Sequence, residues 1–239
     1  MTEQDQLRRA RSAVARGDLE DVVELALGDS PASLHLIGDG LAAAVRAAVP
    51  GAGETARACR ERLETRGWTG DDELRQVLEA AEGVGATPLL RPVPVDLDEL
   101  SDVLEGDPVH GGGAVELATG AVWPRSAIDD AMEEGELEED DLDSDAWLWV
   151  QCEGSRDGFR DMQLFLESVR APDVARRLER ALHGRGAFRR FRDVIWEHED
   201  LLGDWLTFAD DRRRGRARRW LAVHGCAPAY RAVHRAQDP

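Results

Sequence analysis

The chain has 239 residues, 42% of them hydrophobic and 33% charged, with a formal net charge of −18 and a mean hydropathy of −0.44. That length exceeds what a disulfide- or metal-stapled miniature needs and suits one large domain or two small ones. No apolar run reaches the roughly 18–20 residues of a membrane span. The polar, acidic start Met1-Thr2-Glu3-Gln4-Asp5 has neither the basic opening nor the apolar stretch of a signal peptide. Cys59, Cys152 and Cys226 are few, odd in number and far apart, so reduced, buried thiols in a cytoplasmic protein are expected rather than a disulfide framework or a metal site.

Every basic residue is arginine; lysine and asparagine are both missing. Both have A-rich codons, so this matches a G+C-rich genome and gives arginine abundance little functional weight. The positions of the arginines say more. Residues 1–90 carry a net charge of −6, residues 91–172 of −17 and residues 173–239 of +5. Pairing of the basic end with the acidic middle is the preferred explanation. A nucleic-acid face is not expected, because a chain of this overall sign repels a polyanion at long range.

The first ninety residues read as helices joined by short polar turns. Leu7 to Ala15 has helical spacing. Asp18 caps a second helix with Leu19, Val22, Val23 and Leu27 on one face, closed by Gly28 and Pro31. Leu41, Val45, Ala48 and Val49 continue the period up to Pro50-Gly51. Ala56, Cys59 and Leu63 form the next stripe, ended by Gly67, and Asp71 or Asp72 opens a helix with Leu74, Val77, Leu78 and Ala81. Short connections make such helices antiparallel neighbours. "ARGDLEDVVELA" looks faintly like one unit of a helical repeat, but it has no second copy at a fixed period.

Gly83 to Pro94 is a linker candidate, since its glycines and prolines cannot continue a helix. Val93 and Val95 suit a short strand. Asp96 caps a helix with Leu97, Leu100, Val103 and Leu104 inward. Val115-Glu116-Leu117 and Ala121-Val122-Trp123 flank Thr119-Gly120 as a hairpin, and Ala146 to Cys152 reads as another strand. Between them, Asp129 to Asp145 holds eleven acids and no base. It lacks the spacing of a calcium loop, so a solvated, mobile acidic loop is expected. Asp157 onward is helical again. Met162, Leu164, Phe165, Leu166 and Val169 fill one helix, stopped by Pro172; Val174, Leu178, Ala181 and Leu182 supply the next. The expected fold is α+β: a helical module over residues 1–90, then over residues 91–239 a small antiparallel sheet covered by helices.

The late stretch around Gly184-Arg185-Gly186 is the most informative. Phe188, Phe191 and Ile195 follow at i, i+3 and i+7 as one apolar face, so Arg189, Arg190 and Arg192 point elsewhere. A glycine turn before a helix start offers amides and the positive end of a dipole, and arginine adds planar donors. Arg185, Gly186, Arg189, Arg190 and Arg192 are therefore the candidate ligand-binding residues, for an anionic ligand or an acidic protein surface. The bland alternative is that Gly184 caps a helix and the arginines pair with acids of the middle segment. Further on, Trp205 and Phe208 are expected in the core, leaving Arg212, Arg213, Arg214, Arg216, Arg218 and Arg219 as a solvated basic face. Single-stranded nucleic-acid binding by that helix is the weaker alternative.

"GRGAFRRFRD" at 184–193, "RDMQLFLESV" at 160–169, "DWLTFADDRRRGRARRWL" at 204–221 and "VELATGAVWP" at 115–124 together resemble the uncharacterised bacterial protein family numbered 0158 in the UPF series, over roughly residues 92–223. Family members often carry Lys where this chain has Arg192, in keeping with its missing lysines. The resemblance implies a bacterial cytoplasmic protein and brings no reaction, substrate or cofactor. Residues 1–90 look like an extension of some longer relatives.

No catalytic constellation emerges from the residues. His35, His110, His183, His198, His224 and His234 include no pair at ligand spacing, and adjacent Glu197, His198 and Glu199 point apart on a helix. His110 before Gly111-Gly112-Gly113 reads as loop chemistry, and Ser155 lacks a nucleophile elbow. The leading expectation is a non-enzymatic binding or regulatory protein without cofactor or metal. The alternative is an enzyme acting on a phosphorylated or nucleotide substrate.

Overall fold

The computed structural model describes residues 3–28, 33–107, 109, 111–142 and 144–230. Pro31, His110 and His234, each singled out above, and Asp143, one of the eleven acids, lie outside them. Five helices open the chain: α1 (Glu3–Arg16), α2 (Leu19–Leu27), α3 (Leu34–Arg46), α4 (Ala52–Arg66) and α5 (Asp71–Glu82). Asp18 caps α2 as expected, its carboxylate accepting from the Asp21 amide at 3.1 Å. Ala13, Val22, Ile37, Leu41, Ala56, Leu63, Leu74 and Leu78 close one core. Leu27 departs from the expectation and is 61% exposed, whereas Leu25 and Ala26 are buried. It falls at the edge of the apolar stripe, in the last helical turn.

After residues 83–90 the chain enters β1 (Arg91–Val93) and α6 (Leu97–Leu104), which Asp96 caps by accepting from the Asp98 amide at 2.7 Å. The expected hairpin follows as β2 (Gly113–Glu116) and β3 (Val122–Pro124), with Gly120 at φ +75° between them. The acidic stretch is not a plain loop. It holds α7 (Arg125–Glu133) and α8 (Glu139–Leu142), because Ile128, Ala131 and Leu142 are buried while carboxylates such as Asp129, Asp130, Glu133 and Asp140 face water. Then β4 (Trp147–Val150) pairs antiparallel with β2, giving the order β3-β2-β4. Ile128 and Leu142 cover Ala114 on one face of this sheet. Leu100, Leu104, Ala217 and Leu221 pack with Val115 and Val150 on the other. This is the expected α+β architecture.

Four helices finish the fold: α9 (Arg156–Ser168), α10 (Pro172–Ala181), α11 (Ala187–Trp196) and α12 (Glu199–Val223). Pro172 does not stop α9, which ends at Ser168 as the backbone turns extended at Val169. Pro172 opens α10 instead, where its missing N–H would have no partner in any case. Phe165, Leu178, Phe191 and Ile195 form a third core. Trp205 meets Phe165 and Phe191 edge-on at 5.2 and 4.9 Å between ring centroids. Phe188, expected inward, is 46% exposed and touches only the rim of this cluster, tilted against Phe159. A final strand that the sequence pattern does not announce, β5 (Cys226–Pro228), runs parallel to β1.

The 25-residue α12 is the axis of the molecule. It packs against α1, α3 and α5 on one side and α6, α9, α11 and β5 on others, so the helical segment and the α+β segment share it. The approach is closest at Gly215. A Cβ there would lie well inside contact distance of the Thr69 carbonyl, and a Cβ on Gly70, which has φ +90°, would strike the Gly215 carbonyl. Alanine is favoured over glycine inside a helix by about 1 kcal/mol, but overpacking against backbone costs about 1–3 kcal/mol and here has no flexible side chain to absorb it. Gly215→Ala is expected to lower stability despite its propensity gain, by about 1–2 kcal/mol in a denaturant titration; a stabilised variant would contradict the close approach.

Candidate functional site

The arginines of α12 are not a solvated basic face. The expectation fails because α12 is central rather than peripheral, and all six arginines meet carboxylates. Arg212 and Arg216 grip Asp161, Arg216 at 2.8 Å; Arg213 takes Asp102 and, at 3.1 Å, Glu105. Arg214 holds Asp210 at 3.0 Å and Asp98 at 3.3 Å, and Arg219 pairs with Glu73. Arg218, only 1% exposed, binds Asp39 through two bonds of 3.0 and 2.6 Å. Acids of residues 91–172 thus pair with four of these six arginines, and acids of the first ninety residues take the other two.

The deepest part of this network surrounds His35, which the sequence reading passes over as one histidine among six. Arg218 Nε donates to His35 Nδ1 at 3.1 Å, so that nitrogen carries no proton and Nε2–H donates to Asp71 at 3.0 Å. The ring is a neutral spacer between a guanidinium and a carboxylate. Asp71 also accepts from the Trp68 amide at 2.8 Å and from two nitrogens of Arg66 at 2.9 and 2.8 Å. Arg66 reaches on to Asp211, which accepts from the Ser33 hydroxyl at 3.0 Å and the His35 amide at 2.7 Å. A carboxylate on α12 therefore caps the N-terminus of α3.

The expected site residues lie elsewhere, at the α10–α11 turn. Gly184 and Gly186 do separate these helices, with φ of +76° and +78°. Arg190 folds back over the turn and donates to the carbonyls of Ala181 (3.0 Å), His183 (2.5 Å), Gly184 (3.3 Å) and Arg185. Its donors satisfy the open end of α10. Arg192 lies over the Trp196 ring at 5.2 Å. Arg189 stands 3.9 Å from Asp193 with its side chain 82% exposed, and Arg185 and Gly186 are exposed.

A cleft of about 900 Å³ opens on a different face and contains none of those five residues. Three elements build it. From β4 and its continuation come Trp149, Gln151, Cys152 and Glu153. From α9 come Asp157, Arg160 and Leu164, at i, i+3 and i+7. From α12 come Arg212, Arg216, Arg219 and Val223, one stripe joined by Trp220. The turn before α5 adds Trp68, over whose ring lie the guanidiniums of Arg66 at 4.3 Å and Arg212 at 5.2 Å. Trp220 and His224, one turn apart, have ring centroids 4.2 Å from each other. Arg160 is exposed and has no ion pair among the described residues. Four arginines thus face two carboxylates in a chain whose net charge is −18.

The thiols divide as their burial dictates. Burial pushes Cys59 up to about 11 and raises Cys226 as well, so both stay protonated at neutral pH. Cys152, on the cleft wall, donates a hydrogen bond from its thiol to the Gly106 carbonyl at 2.8 Å. Among the described residues no group of three or more histidine, cysteine or carboxylate side chains is placed to hold a metal ion, and no helix is long and apolar enough to cross a membrane.

The fold and site define a helix-rich α+β protein with an arginine–carboxylate core around one central helix. Residues 127–234 match the model of Uncharacterised protein family (UPF0158). The chain is also 29% identical over 148 residues to a Pseudomonas aeruginosa protein named UPF0158 protein PA5073, an overlap of 59% of this chain and 90% of that protein. The family resemblance carried by residues 184–193 and their neighbours therefore holds. No solved structure matches the chain.

The buried carboxylates make the core acid-sensitive. Burial by itself raises the Asp71 carboxyl, but the bonds from His35, Arg66 and the Trp68 amide outweigh it and hold it below its ordinary 3.8. Asp210 is lowered likewise: burial raises it, and Arg214 and Arg11 overcome that. Such groups stabilise the folded state fully above their unfolded value and lose that contribution as pH falls through the folded one. On their account stability is expected to stay level from pH 7 to about 4 and to drop below it. Asp71→Asn is expected to be less stable at neutral pH and to show a shallower acid limb in melts taken against pH; an unchanged acid limb would contradict the assignment.

Proposed function

We propose that this is a non-enzymatic cytoplasmic binding protein whose site for an anionic ligand is the cleft between β4, α9 and α12. One observation carries this: Arg160 stands exposed and, among the described residues, without an ion pair in a concave wall where the other arginines are already matched to carboxylates. An anion arriving there gains a guanidinium that no carboxylate of the described residues has paired with. Binding rather than catalysis is favoured by how the reactive groups are used. His35 is held between Arg218 and Asp71, and the thiols of Cys59 and Cys226 are kept protonated.

A second reading keeps the Gly184 turn as the site for an anionic ligand or an acidic protein surface. The exposure of Arg185 and Arg189 favours it, while Arg190 and Arg192 are engaged.

Native mass spectrometry of the purified chain separates the two. Arg160→Ala is expected to lose at least about ten-fold of any retained anionic small molecule, the loss of one charge-assisted contact, with an unchanged melting temperature. Arg185→Ala is expected to retain it. The opposite pattern would move the site to the Gly184 turn, and a wild-type chain that retains no anion would overturn the cleft.

A further inference from the structure

The cleft holds more than an anion needs. A bare phosphate or carboxylate is served by arginines alone, and the carboxylates of Glu153 and Asp157 on the same wall oppose it. The wall also presents Trp149, 41% exposed although large and apolar, over which the Arg125 guanidinium lies at 5.9 Å. Three kinds of group thus share one opening: a guanidinium for negative charge, an indole for a flat apolar ring, and carboxylates that accept from hydroxyl or amino donors. We infer that the ligand is a nucleoside phosphate, with its phosphate on Arg160, its base stacked on Trp149 and its sugar hydroxyls or exocyclic amine donating to Glu153 and Asp157.

This rests on the anion-binding reading of the cleft and adds the rest of the ligand. Stacking of a base on an aromatic side chain is sequence-tolerant and contributes on the order of ten-fold or more in affinity. The donors of a ribose or an exocyclic amine give the two carboxylates a favourable role that a simple anion would not. The volume of about 900 Å³ lies within the range of roughly 300–1,000 Å³ typical of small-molecule sites. A single nucleotide fits the electrostatics better than a polynucleotide. The arginines of α12 that would follow a backbone are paired with Asp161, Glu105, Asp102, Asp39 and Glu73, and the net charge of −18 opposes a long polyanion.

Calorimetry on the full chain at low salt, with 5′-AMP, 5′-GMP, 5′-UMP, adenosine, ribose 5-phosphate and inorganic phosphate, tests the inference. At least one of the three nucleotides is expected to bind ten-fold or more tightly than ribose 5-phosphate or inorganic phosphate. Trp149→Ala is expected to remove that advantage and leave ribose 5-phosphate binding unchanged, with Trp149→Phe restoring most of it. Arg160→Ala is expected to weaken the nucleotide and ribose 5-phosphate alike and to spare adenosine. If ribose 5-phosphate binds as well as every nucleotide, the inference falls and the anion site stands. If none of the three nucleotides binds while native mass spectrometry still finds another anion lost in Arg160→Ala, the inference again falls alone. If no anion binds by either method, both fall.

Discussion

Everything in this fold hangs on a buried contradiction: its central helix is one of its most charged. α12 places Asp210, Asp211, Arg214 and Arg218 in the interior. A lone buried ion would cost several kcal/mol, so each of these is tolerated only because a partner of opposite sign meets it with good geometry. The partners come from α1, α3, α4 and α6, as Arg11, Asp39, Arg66 and Asp98, with Asp71 of α5 holding Arg66 in turn. Removing a partner strands a charge, whereas swapping whole pairs for hydrophobes could be neutral. The network therefore acts chiefly by specifying where α12 lies, since a shift of one turn would unpair several ions at once.

The same contacts position the cleft. Arg66 connects Asp71 and Asp211 in the core and at the same time lies over Trp68, which forms part of the cleft wall. The near-touching backbones at Gly70 and Gly215 bring the turn carrying Trp68 and Thr69 down onto α12. The helical segment is thus part of the site. Its turn supplies one wall, and its acids occupy Arg218 and Arg219, leaving the open positive charge of the cleft to Arg160 on α9.

Local signals in the chain were legible wherever a short-range rule governs. Asp18 and Asp96 cap the helices assigned to them, Gly67 closes α4, and Thr119-Gly120 turns the hairpin. Where long-range packing decides, the residues misled. The acids of 129–145 looked like solvated loop, yet Ile128, Ala131 and Leu142, sparsely spaced among them, were enough to seat two short helices on the sheet. β5 could not be seen, since a three-residue strand carries no periodicity and exists through its pairing with β1. At 184–192 nothing local shows that Arg190 turns back onto the carbonyls of its own turn while Arg185 and Arg189 stay exposed. The cleft had a signal in two of its parts, the helical stripes on α9 and α12, but no signal that those faces meet each other or β4.

The sequence by itself determined the helix-rich α+β class, the family resemblance, the caps and turns, and the excess of acid over base, because these depend on composition and on neighbours within a few residues. Tertiary structure alone decided which arginines are spent and which remain available. Charge is additive along a chain, but pairing depends on distances of a few ångströms between residues such as Arg218 and Asp39 that lie 179 positions apart.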